Sequence, residues 1–109
     1  MPQQVPNVSV SDLPEDVTLL DVREPDEWAA GHAPNAVHIP MGELAERLAE
    51  LPAEGNVYVV CRGGGRSSRA TAYLNANGWD ATNVDGGMKS WHAAGRPMVS
   101  EAGAEPEVI

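Results

Sequence analysis

The sequence predicts an α/β fold, with a single domain built on a central parallel sheet of about five short strands and helices on both faces. Strand-like and helix-like segments alternate along the chain, which is typical of parallel α/β folds. The chain has 109 residues, 42% of them hydrophobic, which is enough for one ordinary core and too few for two domains. Residues 57–60 (VYVV) are apolar without alternation, as expected of a central strand covered on both faces.

The strand predictions depend on short apolar runs that end at turn residues or at proline. Residues 17–22 (VTLLDV) are predicted to be a buried strand with Asp21 at its carboxyl end, and Pro40 closes the run AVHI. In chain order, the predicted strands are residues 8–10, 17–22, 36–39, 57–60 and 81–84, the first of them at an edge of the sheet.

The helix predictions depend on apolar periodicity and on residues that start or stop helices. The clearest helix, residues 42–51, places three leucines on one face and ends before Pro52. Ser67 or Ser68 is the expected N-cap of another helix, and Gly78 its stop. In chain order, the predicted helices are residues 24–30, 42–51, 67–77 and 88–94.

The charge of the chain argues against two classes of partner. A net charge of -9 and a pI near 4.5 disfavour binding to nucleic acid and to anionic membranes. The apolar runs are too short to cross a membrane, and the N-terminus lacks the features of a signal peptide. A lone cysteine fits a reducing compartment, so we expect a cytoplasmic protein.

The stretch VVCRGGGRSS, residues 59–68, holds the only cysteine of the chain, Cys61. It follows a predicted central strand, and ligands of open parallel sheets bind at the carboxyl ends of the strands. The three glycines that follow allow successive N–H groups to converge, and the next helix directs its positive end to the same place. Arg62 and Arg66 can add full charges. We therefore expect Cys61 to be a nucleophile of low pKa, in a cradle that also accepts an anion.

The loop has two other interpretations. A lone cysteine beside an apolar strand is more often a small, inert core residue, but such a residue needs neither the glycines nor the arginines. A nucleotide-binding P-loop is excluded because the required Gly-x4-Gly-Lys-Ser/Thr pattern is absent and no lysine is near.

Three blocks of the sequence together resemble the rhodanese family, over roughly residues 8–97. Each block alone is weak evidence for the family, but the three blocks in this order and spacing are strong evidence. They are LLDVREPDEWAAGHAPNAVHIP at residues 19–40, VYVVCRGGGRSS at 57–68 and NVDGGMKSW at 83–91.

The resemblance implies a sulfurtransferase, in which a cysteine takes a sulfane sulfur as a persulfide and passes it to a thiophilic acceptor. By this resemblance Cys61 is the nucleophile. The implied donor is a small sulfur anion such as thiosulfate, and the acceptor is cyanide or a thiol, including a protein thiol. The mechanism requires no metal or organic cofactor. The resemblance also implies that the persulfide is cradled by Arg62, Gly63, Gly64, Gly65, Arg66 and Ser67.

Asp21 and Arg23 end a strand on the same edge of the sheet as Cys61. We expect them either to form a charge pair with a loop arginine or to be purely structural. His32 is expected to brace the turn after the predicted first helix by hydrogen bonds, and His38 to be a core histidine. Neither these two nor His92 has a spacing to Cys61 that suggests a metal site, so no metal is predicted.

Two alternative functions are left open. Cysteine-dependent phosphatases and arsenate reductases use a Cys-x5-Arg loop, whereas Cys61 and Arg66 make Cys-x4-Arg, a shorter cradle that suits one sulfur better than a phosphoryl group. The other alternative is a sulfur-carrier or redox-regulatory module without meaningful turnover.

The last predicted region is the C-terminal tail, residues 98–109. It is acidic and shows no apolar period, so we expect a partly mobile segment that the domain at residues 1–97 does not need for folding.

Overall fold

The computed structural model describes residues 5–14, 17–52, 55–101 and 103–109. Its centre is a five-stranded sheet in which every neighbouring pair of strands is parallel, in the order β1-β5-β4-β2-β3. The predicted α/β class is therefore confirmed, with the strand at residues 57–60 in the middle and the first strand at an edge. The strands are β1 (Asn7–Ser9), β2 (Thr18–Asp21), β3 (Val37–His38), β4 (Asn56–Val60) and β5 (Asp80–Asp85).

Three α-helices lie in the described part of the chain, and apolar cores cover both faces of the sheet. They are α1 (Pro25–Ala30), α2 (Gly65–Ala76) and α3 (Gly87–Ala93). On one face, Leu74 of α2 packs with Leu20 and Val59 of the sheet. On the other, Trp91 of α3 packs with Leu19 and Val60. Alternate residues of β2 and β4 thus pack into opposite cores. A shift of one residue would exchange the two faces, so this packing fixes the register of the central strands.

The predicted α-helix at residues 42–51 is wrong. Two short 3₁₀ helices occupy this segment, Met41–Glu46 and Leu48–Glu50. Each is closed by a bond between residues three apart, such as that from the Arg47 N–H to the Leu44 carbonyl at 3.1 Å. A segment of this length has little helical stability of its own, so the packing of Leu44 and Leu51 on the sheet decides its geometry.

The predicted N-cap of α2 is also wrong. The helix begins at Gly65 with Gly64 as its N-cap, and Gly64 adopts a φ of 116°. Its carbonyl accepts the N–H of Ser68 at 3.0 Å, the first bond of the helix. Glycine takes this left-handed conformation without the clash that a Cβ would cause, so the glycine run itself starts the helix. Ser67 therefore lies inside the first turn.

The tail, residues 98–109, lies along α1 where the structure describes it. Val99 and His32 exchange two main-chain hydrogen bonds of 2.9 Å, and the N–H of Glu107 donates to the carbonyl of Ala30 at 3.0 Å. Met98 and Val108 pack against the same core as Trp91. A domain boundary at residue 97 stays a prediction, but these contacts give a reason to expect that the tail contributes to stability.

Candidate active site

Cys61 directly follows β4, the central strand, at the carboxyl edge of the sheet. The end of β2 lies alongside it, because Asp21 is in register with Val60 and the Val22 N–H donates to the Val60 carbonyl at 3.1 Å. The cysteine is fully buried.

The loop after Cys61 folds back so that α2 directs its N-terminus at the sulfur. The N–H of Gly64 donates to Sγ at 3.0 Å, and the hydroxyl of Ser67 lies 3.4 Å from it. Of the loop glycines, Gly64 alone has a positive φ, whereas a Cβ on Gly63 or Gly65 would stand in open space. Gly64 is therefore required for its conformation, whereas a small side chain at Gly63 or Gly65 would meet no neighbour.

Hydrogen bonds set the ionisation of Cys61. Burial raises the pKa of its thiol, but the Ser67 hydroxyl and the main-chain N–H groups of Ser67, Gly64 and Gly63 more than offset it, so the pKa is below the ordinary value of 9.0. These donors stabilise the thiolate directly. No arginine is among the main causes of this lowering of the pKa, although the sequence suggested that the loop arginines would take part in it. The guanidinium of Arg66 is bound to a carboxylate.

That carboxylate is Glu27 of α1. The two side chains form a two-pronged ion pair, with Nη1 to Oε1 at 2.8 Å and Nη2 to Oε2 at 2.9 Å. The hydrogen bond from Arg66 lowers the pKa of Glu27, and the reverse interaction raises that of Arg66. Glu27 was missed as a site residue, although it is the glutamate of the Glu-x-x-x-Gly-His element in the first sequence block.

The other loop arginine, Arg62, points outward. It is exposed, and its Nε donates to the main-chain oxygen of Ile109 at 2.9 Å. The two arginines thus have different surroundings, Arg66 held against α1 and Arg62 against the tail.

Asp21 and Arg23 pair with each other and not with a loop arginine. Both are fully buried, and Nη2 of Arg23 lies 2.8 Å from Oδ2 of Asp21 and 2.7 Å from the carbonyl of Gly31. Arg23 thereby ties the end of β2 to the end of α1. Of the two expectations for this pair, the contacts favour the structural one.

The N-terminus of α3 holds the loop from the opposite side. The N–H of Met88 donates to the carbonyl of Cys61 at 2.8 Å, and that of Lys89 to the carbonyl of Arg62 at 3.1 Å. Gly87, with a φ of 55°, allows this approach, because a Cβ there would lie 2.3 Å from the Cys61 oxygen. Gly87, the second glycine of the third sequence block, therefore lets the start of α3 approach and hold the main chain of Cys61.

Two histidines flank Trp28 in a stack. The ring of His32 lies 3.6 Å from that of Trp28 and the ring of His38 4.6 Å from it. Nδ1 of His32 meets the carbonyl of Trp28 at 2.9 Å, so His32 braces the end of α1. His38, expected in the core, is half-buried, and its Nε2 meets the carbonyl of Arg23 at 2.8 Å.

The described residues contain neither a candidate metal site nor a candidate membrane span. No group of three or more His, Cys, Asp or Glu side chains within those ranges could hold a metal ion. No helix in the same ranges is long and apolar enough to cross a membrane.

Comparison with known proteins gives consistent matches. The model of the Rhodanese-like domain family matches residues 8–94, from β1 through α3. A protein of Allochromatium vinosum named sulfurtransferase is 40% identical over 90 residues, covering 82% of this chain and 84% of that protein. The crystal structure of a rhodanese-related protein from Thermoplasma volcanium superposes with a TM-score of 0.81 at 36% identity, covering 86% of this chain and 97% of that one. A rhodanese-like domain protein from Staphylococcus aureus gives 0.75 at 38% identity, covering 79% and 90%.

Proposed function

The chain belongs to the rhodanese-like domain family, and from that premise we propose that it is a sulfurtransferase whose Cys61 carries the sulfur as a persulfide. The observation that carries the proposal is the position of Sγ, 3.0 Å from the N–H of Gly64 at the start of α2. A helix N-terminus and converging N–H groups stabilise negative charge, first on the thiolate and then on a persulfide.

In the first half of the reaction, the Cys61 thiolate attacks the outer sulfur of a donor such as thiosulfate. The new bond joins Sγ to that sulfur, the sulfur–sulfur bond of thiosulfate breaks, and sulfite leaves with the electron pair. The anionic outer sulfur of the persulfide then lies close to the loop N–H groups.

In the second half, cyanide or a thiolate attacks the outer sulfur of the persulfide. The bond between the two sulfurs breaks, and Cys61 leaves as the thiolate with which it began. The products are thiocyanate or a persulfide of the acceptor. The hydrogen bonds that lower the pKa of Cys61 help this step too, because a stable thiolate is a better leaving group.

Arg66 is the better of the two loop arginines for attracting a dianionic donor. It lies at the start of α2, where Glu27 holds it in one orientation, and its charge interacts with that of Cys61. Arg62 is exposed and turned to the tail. A fixed cation loses less conformational entropy on binding than a free one.

Intact-mass spectrometry tests the proposal. After incubation with thiosulfate and removal of excess donor, the protein should gain the mass of one sulfur atom, and cyanide should remove it. The matched control, Cys61→Ser, should gain nothing. A wild-type protein that stays unloaded with thiosulfate and with a low-molecular-weight persulfide would contradict the proposal. Loading that no small acceptor can discharge would favour a sulfur carrier over a catalyst.

A further inference from the structure

The hydroxyl of Ser67 lies among three groups that can accept its proton. Besides Sγ of Cys61 at 3.4 Å, the carbonyl of Gly64 is at 3.1 Å and Oδ1 of Asn83 is at 2.5 Å. A hydroxyl has one proton to donate. Ser67 can therefore serve only one of these acceptors well at any moment, and Asn83 is the nearest.

Asn83 is held so that its side-chain oxygen stays beside Ser67. It lies on β5, is 2% exposed, and its main-chain N–H donates to the carbonyl of Pro6 at 2.8 Å. Its side-chain nitrogen donates to Oδ1 of Asn7 on β1 at 2.7 Å. Because the amide nitrogen is engaged by β1, the amide oxygen faces Ser67 on the other side. No pattern in the sequence distinguishes this asparagine from other polar residues of short strands.

We propose that Asn83 is a positioning residue, which competes with the sulfur of Cys61 for the proton of Ser67 and so limits how much of the cysteine is thiolate. In the thiol state, Ser67 donates to Asn83 and its oxygen is free to accept the S–H of Cys61. When the thiol loses its proton to water, the Ser67 hydroxyl turns to Sγ, and Oδ1 of Asn83 loses a donor. The hydrogen bond from Ser67 stabilises the thiolate, but part of this stabilisation is offset by the hydrogen bond that Asn83 loses.

The inference rests on the proposed function for its importance, since it concerns the nucleophile of that reaction. A nucleophile is most effective when its pKa is near the ambient pH, because a very stable thiolate attacks slowly. By drawing the Ser67 proton away, Asn83 keeps Cys61 from becoming too weak a nucleophile. The ionisation itself can be measured without any sulfur transfer.

Charged side chains also lie on the elements around the loop, and Asn83→Val leaves all of them in place. They come from every element at this edge of the sheet, and the substitution of Asn83 by an uncharged residue changes none of them. They are Asp21 of β2, Arg23 just after it, Glu27 of α1, Arg62 of the loop, Arg66 of α2, Asp85 of β5 and Lys89 of α3.

The test is titration of the thiolate absorbance in the far ultraviolet, from which the titration of Cys61→Ser is subtracted to remove the signal of the two tyrosines; the difference reports on Cys61, the one cysteine of the chain. Asn83→Val removes the competing acceptor, so the pKa of Cys61 should fall by about one unit, the value of one hydrogen bond. Asn83→Asp keeps the shape and strengthens the acceptor, so the pKa should rise. Asn77→Asp, which adds the same charge at an exposed position after α2, is the control and should leave the pKa unchanged.

A double-mutant cycle shows whether Asn83 acts through Ser67. In a Ser67→Ala background, Asn83→Val should no longer lower the pKa of Cys61. An Asn83→Val protein with an unchanged or raised pKa would overturn the inference, and so would a fall that persists without the Ser67 hydroxyl. If Asn83→Val does not fold, as judged by circular dichroism, Asn83→Asp is compared in the presence and absence of the Ser67 hydroxyl, because its charge alone also raises the pKa. A rise that is the same in the Ser67→Ala background would overturn the inference. No arm uses a sulfur donor, so failure of sulfur transfer cannot be mistaken for failure of this inference.

Discussion

The ion pair between Glu27 and Arg66 gives a sharp prediction, because it joins α1 to the active-site loop. Glu27→Gln keeps the shape of the side chain but removes its charge and one acceptor. The side chains are 11% and 30% exposed, so water screens the pair only in part. Loss of one charge-assisted hydrogen bond in such a setting should lower the free energy of unfolding by about 1–2 kcal/mol at neutral pH. For a domain of this size, that corresponds to a fall in Tm of roughly 5–10 °C.

The pH dependence of this loss identifies its cause. The hydrogen bond from Arg66 lowers the folded-state pKa of Glu27 below 4.5, although burial opposes it. A carboxylate with a depressed pKa contributes its full stability above its unfolded-state pKa, and loses it as the pH falls through the folded-state value. The difference between the wild type and Glu27→Gln should therefore be constant near neutral pH and shrink below 4.5.

Urea unfolding at a series of pH values measures this difference. Glu43→Gln is the matched control, since it removes one carboxylate from the surface pair with Arg47, whose side chains are 32% and 52% exposed. Exposed pairs contribute little, so this variant should remain close to the wild type at every pH. The contribution of the pair to stability would be refuted if Glu27→Gln lowered the free energy of unfolding by the same amount at every pH, or by no more than the control does.

Three further predictions concern the loop and the tail. Gly64→Ala should lower the free energy of unfolding in urea by roughly 1–2 kcal/mol, because a residue with a Cβ is strained at a φ of 116°. Gly63→Ala should unfold like the wild type, because a Cβ at that position meets no other atom. Arg66→Ala should raise the KM for thiosulfate more than Arg62→Ala in initial-rate assays, and equal KM values would show that the fixed arginine does not bind the donor. Deletion of residues 98–109 should lower the Tm by several degrees, roughly the effect of 1 kcal/mol, and an unchanged Tm would show that its contacts with α1 contribute nothing.

The sequence predicts those features of this protein that depend on local pattern. The apolar run at residues 57–60 sufficed to place the central strand, and with it Cys61 at the carboxyl edge of the sheet. The glycines after it predicted a tight loop at a helix N-terminus, and Gly64 has the left-handed conformation that this requires.

The features that the sequence does not predict depend on contacts between distant segments. Glu27 and Arg66 are 39 positions apart, and nothing in the spacing predicts that they meet. Asn83 resembles any polar residue of a short strand until the sheet places it beside Ser67. The tail, residues 98–109, has no apolar period, yet its main chain pairs with residues at the end of α1, where side-chain pattern carries no signal. In the segment at 42–51, packing on the sheet overrides helical propensity.

The most direct test of the central claim is the release of sulfite from thiosulfate in the absence of any acceptor. If Cys61 takes the sulfur before an acceptor binds, rapid mixing of the protein with excess thiosulfate should release sulfite in a burst that stops at one equivalent per chain, and Cys61→Ser should give no burst. Added cyanide should then restart the release. Sulfite that appears only when cyanide is already present would contradict the account, because it would mean that sulfur passes directly from donor to acceptor without a persulfide on Cys61.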